Sequence, residues 1–296
     1  MRVTRSWALV IIVVCGIFWG SSFILMKKAL VVFDHTQVGL LRIIVAGGVL
    51  LPFMLPTFAR SWRQLPKAKL LQSSLVGTLI PAFLFPLAQT QLASGTTGVL
   101  NSLTPLFTLL LGMVAFRQKL QPLRLLGVGL GLAGAAWLIL LQKSVGGDPR
   151  FALLIVLATL MYGYNTNFVK YRLADISPLR ITGFGLSLAA IPCLYVLLFH
   201  TNFIQLMDAP GFATSFAAVC ALGAIGTSLA LWLYFYALKV SSAVGAASVT
   251  YLMPVVALGW ALLDGEPFHL NYVWGLLAIL GGVWLVNRPS GYLRKS

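Results

Sequence analysis

The chain has 296 residues, of which 59% are hydrophobic and only 9% charged, with a mean hydropathy of +0.93. That excludes an ordinary soluble domain, in which roughly a quarter of the residues carry charge. The 21 Lys and Arg against 6 Asp and Glu leave a formal charge of +15, which suits either a nucleic-acid binder or a membrane protein with one basic face; the placement of the charges decides.

Nine runs free of Asp, Glu, Lys and Arg follow one another: Ser6–Met26, Ile43–Ala59, Leu70–Phe116, Leu125–Gln142, Phe151–Val169, Ile181–Met207, Ala209–Leu238, Val240–Leu263 and Pro267–Asn287. A crossing helix needs about 20 apolar residues. Leu70–Phe116 is twice that long, and its small, polar stretch Ser94-Gly95-Thr96-Thr97-Gly98 reads as a turn between two spans. Ile43–Ala59 reaches full length when extended back through Arg42 to Gln37. Ten helices are expected, with no stretch left to build an extramembrane domain. Met1-Arg2-Val3-Thr4-Arg5 before an apolar run resembles a signal peptide, but the run is long and lacks an A-x-A site, so a retained first span is expected. Cys15, Cys193 and Cys220 fall within apolar runs and lack metal-ligand spacing.

Basic residues accumulate in cytoplasmic loops. With the N-terminus inside, the inner segments hold 16 basic residues; the outer loops hold Lys27, Lys28, Lys143 and Arg150, and Arg42 lies within the second span. Both termini are therefore expected in the cytoplasm. Scattered in ones to fours between spans, these charges mark topology, so the expected partners are the lipid bilayer and a small-molecule substrate, with no nucleic acid. A monomer or weak homodimer is expected. His35, His200 and His269 map to outer loops and read as solvated.

The halves echo each other. Leu103-Thr104-Pro105-Leu106 recurs as Leu252-Met253-Pro254-Val255, 149 residues on, and Trp19-Gly20-Ser21-Ser22-Phe23 is echoed by Tyr162-Gly163-Tyr164-Asn165-Thr166. The Gly-rich fifth span (Gly127, Gly129, Gly131, Gly134) is matched by the tenth (Gly275, Gly281, Gly282). Five spans per half is odd, so the second half enters from the opposite side. The expected fold is all-α: a polytopic membrane protein of ten transmembrane helices as two inverted five-helix repeats, residues 1–142 and 150–288, with a cytoplasmic tail at 289–296. Secondary transporters with inverted repeats bind near the midplane between the halves.

These residues resemble the EamA-like branch of the drug/metabolite transporter superfamily. Trp19-Gly20-Ser21-Ser22-Phe23 with Lys27 looks like its first-span signature, Leu41-Arg42 before Ala46-Gly47-Gly48 like its second span, Pro105 and Pro254 like its fourth and ninth, and Gly265-Glu266 like its closing pair. The first repeat departs, with Arg117-Gln118 in place of Gly-Glu. The resemblance implies a carrier, without cofactor or metal. Its central cavity is lined by helices one, three, four, six, eight and nine, with five and ten peripheral. Members move amino acids, nucleotide sugars, phosphorylated sugars and other metabolites, mostly outward across a bacterial inner membrane in this branch. The expectation is a probable exporter or exchanger of small metabolites such as amino acids, working by alternating access. The alternative is a carrier of a lipid-linked or phosphorylated metabolite. The Asp-rich, paired-Asp, Ser-His or His-Glu-x-x-His motifs of intramembrane enzymes do not occur within the spans.

Thr97, Asn101, Thr104 and Thr108 share one helical face. A polar stripe on an apolar helix faces a cavity or another helix, and Pro105 frees the carbonyl of Asn101. Pro105 and Pro254 are the candidate hinges. In the sixth span Tyr162 and Asn165, three apart, share a face, as do Trp19 and Ser22 in the first. Trp232 and Tyr251 offer an apolar surface with a polar handle, whereas Tyr234 and Tyr236 fit an interfacial belt. Arg42, five residues into its span, is a candidate for a substrate carboxylate or phosphate, although a structural role is the favoured reading. The candidate substrate-binding set is Trp19, Ser22, Arg42, Asn101, Thr104, Tyr162, Asn165, Trp232 and Tyr251. No Asp, Glu or His lies within a span, which disfavours direct proton coupling. Gly129-Leu130-Gly131-Leu132-Ala133-Gly134 fits G-x-G-x-x-G, but inside an apolar run it reads as close helix packing: Gly127 and Gly131 form a small-x-x-x-small face, as do Ala278 and Gly282.

Overall fold

A computed structural model describes residues 5–118, 122–144, 148–240, 243, 246, 248–266 and 270–287. Among them the chain is helical throughout, in ten rods: α1 (Arg5–Ala29), α2 (His35–Ser61), α3 (Lys67–Gln89), α4 (Ser94–Phe116), α5 (Pro122–Ser144), α6 (Pro149–Arg172), α7 (Pro178–Phe199), α8 (Phe212–Lys239), α9 (Val249–Leu263) and α10 (Asn271–Asn287). The expected 289–296 tail lies outside the described residues. The first eight are long and apolar enough to cross a membrane; α9 and α10 are shorter apolar helices. Large side chains such as Val114, Leu126, Ile191, Phe199 and Trp274 face outward, as the surface of a protein solvated by lipid requires.

Helix starts follow ordinary capping. Asp34 accepts the N–H groups of Thr36 and Gln37 at the head of α2, and Gln37 returns the bond to the Asp34 N–H. Asp148 and Ser177 cap α6 and α7, each followed by a proline. The turn between α3 and α4 falls at residues 90–93, not at Ser94–Gly98, which forms the first turn of α4. The correction has a physical reason: Gly95 and Gly98 are required small by neighbours. A side-chain carbon on Gly98 would come 2.4 Å from Ala257.

The helices pair as an inverted repeat demands. α1 packs on α8 and α9 of the second half, α6 packs on α3 and α4 of the first, α2 lies along α7 and α5 along α10. At α5–α10, a Cβ on Gly127 would stand 2.6 Å from the Gly282 carbonyl and one on Gly134 2.8 Å from that of Gly275. The G-x-G-x-x-G stretch is thus a packing face.

Two further irregularities are also paired. α3 widens into a π turn at Leu75–Leu79 and α8 into another at Ala224–Leu229. In α3 the cause is local: Pro81 has no N–H for the Gly77 carbonyl, and Ile80 donates instead to Leu75, five residues back. In α8 the hydroxyls of Thr227 and Ser228 donate five residues back, to Leu222 and Gly223. α4 breaks at Ser102–Leu103 ahead of Pro105, and α9 opens with a 3-10 turn, Ser248–Tyr251, ahead of Pro254.

A candidate substrate cavity between the repeats

The π turns and the proline breaks surround one cavity. α1 contributes Trp19, Ser22, Phe23 and Met26; α3 gives Gly77, Thr78 and Phe85; α4 gives Asn101 and Thr104. Across from them stand Tyr162, Asn165 and Thr166 of α6, Leu231, Tyr234 and Phe235 of α8, and Val249, Thr250 and Met253 of α9. These are the six helices that the resemblance implied, with α5 and α10 outside. α2 joins them through Arg42.

The two repeats present the same contact twice. Ser22 of α1 lies against Gly226 in the π turn of α8, where a Cβ would come 2.5 Å from its Oγ; Asn165 of α6 lies against Gly77 in the π turn of α3, where a Cβ would come 2.0 Å from its Nδ2. Trp19 donates its indole N–H to the Gly226 carbonyl at 2.9 Å, and Asn165 accepts from Ser73 Oγ at 2.8 Å. Tyr162 stacks on Phe85, with ring centroids 5.8 Å apart.

Arg42 is buried, 8% exposed, and its Nε donates to Thr227 Oγ1 at 2.8 Å. The hydrogen bond fixes the side chain, and the fixed side chain borders the cavity. Asn101, only 3% exposed, directs its amide N–H at Met253 Sδ, 3.6 Å away, and among the described residues its Oδ1 has no partner. The Asn101 carbonyl accepts from the Thr104 hydroxyl at 2.8 Å, which settles the group that Pro105 frees.

Seven of the nine candidates therefore share the cavity, and two do not. Trp232 is 40% exposed. Leu231, Tyr234 and Phe235 take the inward face at helical spacing, which turns Trp232 away. Tyr251 is directed at α10, where it accepts from Asn287 Nδ2 at 3.0 Å. In the opposite direction, Tyr234 is not an interfacial anchor: it is buried, sits against Trp19 and bonds to Thr166 at 3.1 Å. Thr97 and Thr108 of the polar stripe spend their hydroxyls on carbonyls four residues back.

A charged cluster ties the connection after α9 to α1 and α4. Lys27 bridges Asp264 at 2.7 Å and Glu266 at 2.8 Å, and Lys28 adds a bond to Asp264. Glu266 accepts from Ser94 Oγ at 2.8 Å and from the N–H groups of Ser94 and Gly95. It caps α4. The bonds from Lys27 and Lys28 hold the Asp264 carboxyl below its ordinary range. Burial pushes Glu266 upward, but the Lys27, Ser94 and Gly95 bonds outweigh it and hold that carboxyl low as well. These residues lie at the end expected to be outer.

An all-helical multi-pass bundle with a largely apolar cavity, carrying a few polar groups, between two matched halves is the architecture of a membrane transporter. Residues 6–140 and 150–288 each match the EamA-like transporter family, and the chain belongs to that family. It is 24% identical over 285 residues to an uncharacterized transporter of Archaeoglobus fulgidus, covering 96% of this chain and 99% of that one. It is 28% identical over 253 residues to the inner membrane transporter YedA of Escherichia coli, covering 82% and 78%. A probable terminal-alkyne amino-acid exporter of Streptantibioticus cattleyicolor is 25% identical over 300 residues, covering 98% and 96%. A solved crystal structure superposes with a TM-score of 0.67 at 19% identity, covering 96% of this chain and 97% of that one.

Proposed function

We propose that the protein carries a small organic metabolite, such as an amino acid, across the bacterial inner membrane by alternating access, as an exporter or exchanger with both termini in the cytoplasm. Trp19, Ser22, Arg42, Asn101, Thr104, Tyr162 and Asn165 bind the substrate, and the breaks at Pro105 and Pro254 are the hinges. The carrying observation is the doubled contact: α1 against the π turn of α8, and α6 against that of α3, around one cavity. Two matched, irregular contacts allow one to loosen while the other holds, which alternating access requires. The amino-acid exporter among the relatives supports the substrate range. All six carboxylates lie at helix ends or in connections, which argues against a proton relay through the cavity and for facilitated diffusion or exchange. Proteoliposomes preloaded with a panel of amino acids and related metabolites test this: labelled substrate enters faster than into empty liposomes, and no protein-dependent flux across the panel overturns it. The 16-to-4 distribution of basic residues supports the orientation, which labelling of single cysteines in intact cells checks.

A further inference from the structure

Among the described residues lining the cavity, Arg42 is the one charged side chain. Its Nε is taken by Thr227 Oγ1, which in turn donates to the Leu222 carbonyl and so cannot turn away. No described residue bonds to the two terminal guanidinium nitrogens, and no described carboxylate pairs with Arg42. A cation in this position is costly until something brings the opposite charge. With Nε occupied, the free edge presents two parallel N–H donors, the geometry that matches a carboxylate. A second polar point is also incomplete: Asn101 Oδ1 is buried and has no donor among the described residues. Phe23, Phe85, Leu231 and Met253 make up apolar wall around these two groups.

We propose that the cavity selects small organic monoanions: one carboxylate on the free edge of Arg42, an apolar body, and a hydrogen-bond donor for Asn101 Oδ1. This rests on the carrier reading above but departs from its amino-acid example: a carboxylate without an ammonium group is preferred to the zwitterion. One fixed cation is neutralised by one negative charge. A zwitterion leaves the site net positive, a dianion leaves it net negative, and an amine adds a second cation with no counter-charge. Thr227 acts as a positioning residue for the guanidinium.

Four probes of one shape and different charge test the proposal on the purified full chain by titration calorimetry: hydroxyphenylpropionate, its primary amide, tyrosine and tyramine. The expected order is the carboxylate tightest, by about tenfold or more over the amide, since a hydrogen-bonded charge pair is worth that much, then tyrosine, with tyramine weakest. Arg42→Gln brings the carboxylate down to the level of the amide, and Arg42→Lys keeps part of the difference. If Arg42→Gln does not fold, the ranking of the four probes on the unaltered chain decides alone. Amide or tyramine binding as tightly as the carboxylate overturns the anion assignment and leaves the carrier reading standing. No binding by any of the four overturns the anion assignment, and the flux panel above decides the carrier reading separately.

Discussion

The indole of Trp19 donates to the carbonyl of Gly226 at 2.9 Å, joining the first helix of one repeat to the irregular turn of the other. The contact exists because Gly226 has no side chain: any Cβ there would stand 2.5 Å from Ser22 Oγ. A single substitution at Trp19 therefore tests whether the junction is energetic as well as geometric. Trp19→Phe keeps most of the ring, including its contact with Tyr234, and removes the donor. The expected loss is about 1 kcal/mol of stability, read from denaturant unfolding in detergent micelles, with transport falling further than folded protein does.

Glycines in this bundle are not equivalent, and alanine substitutions separate them. At Gly163 a Cβ would meet the Thr108 nitrogen at 2.7 Å and the Phe107 carbonyl carbon at 2.8 Å, main-chain atoms that cannot move aside. Gly163→Ala is expected to cost about 1–3 kcal/mol through overpacking and to force α6 away from α4. Gly129 has open space around its Cβ position. Gly129→Ala is expected to stabilise by up to about 1 kcal/mol, the ordinary helix-propensity gain. Thermal unfolding of the two variants side by side checks both signs.

The ends of α4 and α9 make a third pair. Arg117 closes α4 with φ 52° and Gly265 follows α9 with φ 73°, both left-handed. Only glycine adopts that conformation without steric cost. Arg117→Gly is expected to stabilise by up to about 1 kcal/mol, and Gly265→Ala to destabilise by about 1 kcal/mol. Equal and opposite shifts in the unfolding midpoint would fit; a destabilised Arg117→Gly would show that the arginine side chain holds the turn.

The cluster around Glu266 gives a pH dependence with a definite sign. Asp264 and Glu266 are held below their ordinary values of 3.8 and 4.5, so the folded state binds fewer protons than the unfolded one in that range. Their contribution is complete above about pH 4.5 and disappears as the pH falls through the lowered values. Glu266→Gln is expected to cost about 1 kcal/mol near neutrality, the worth of a helix cap, and to flatten the acid limb of the stability profile. An unchanged acid limb in Glu266→Gln would assign the slope to Asp264.

Architecture was legible before any coordinate because lipid leaves few choices: apolar length gives span count, and basic residues label loops. The repeat was legible as well, since a break at Pro105 and at Pro254 is written as a residue. The π turns were not read, though they leave a trace. Gly77-Thr78 recurs as Gly226-Thr227, 149 residues on, the same offset as the prolines. What stayed hidden was the direction of individual side chains. Spacing placed Trp232 and Tyr234 near one cavity, but two residues along a helix turn a side chain by more than half a circle, and only neighbours settle which points in. Arg42 combines two placements that spacing does not separate: its Nε is bonded to Thr227, and its side chain also borders the cavity.

That difference of face makes a direct test at α8. Tyr234 touches Trp19 and Thr166 inside the cavity wall, whereas Trp232 is turned outward. Tyr234→Phe removes only a hydroxyl, yet it leaves the Thr166 side chain without that partner in a buried setting, so a cost of about 1–2 kcal/mol is expected, along with a rise in the substrate concentration needed for half-maximal transport. Trp232→Leu removes a larger group from the outer face and is expected to leave transport parameters within about twofold, because its loss is taken up by lipid. Counterflow in proteoliposomes, normalised to folded protein, separates the two. A strong effect at Trp232 with none at Tyr234 would mean that the inward face of α8 is assigned the wrong way round, and with it the wall of the cavity.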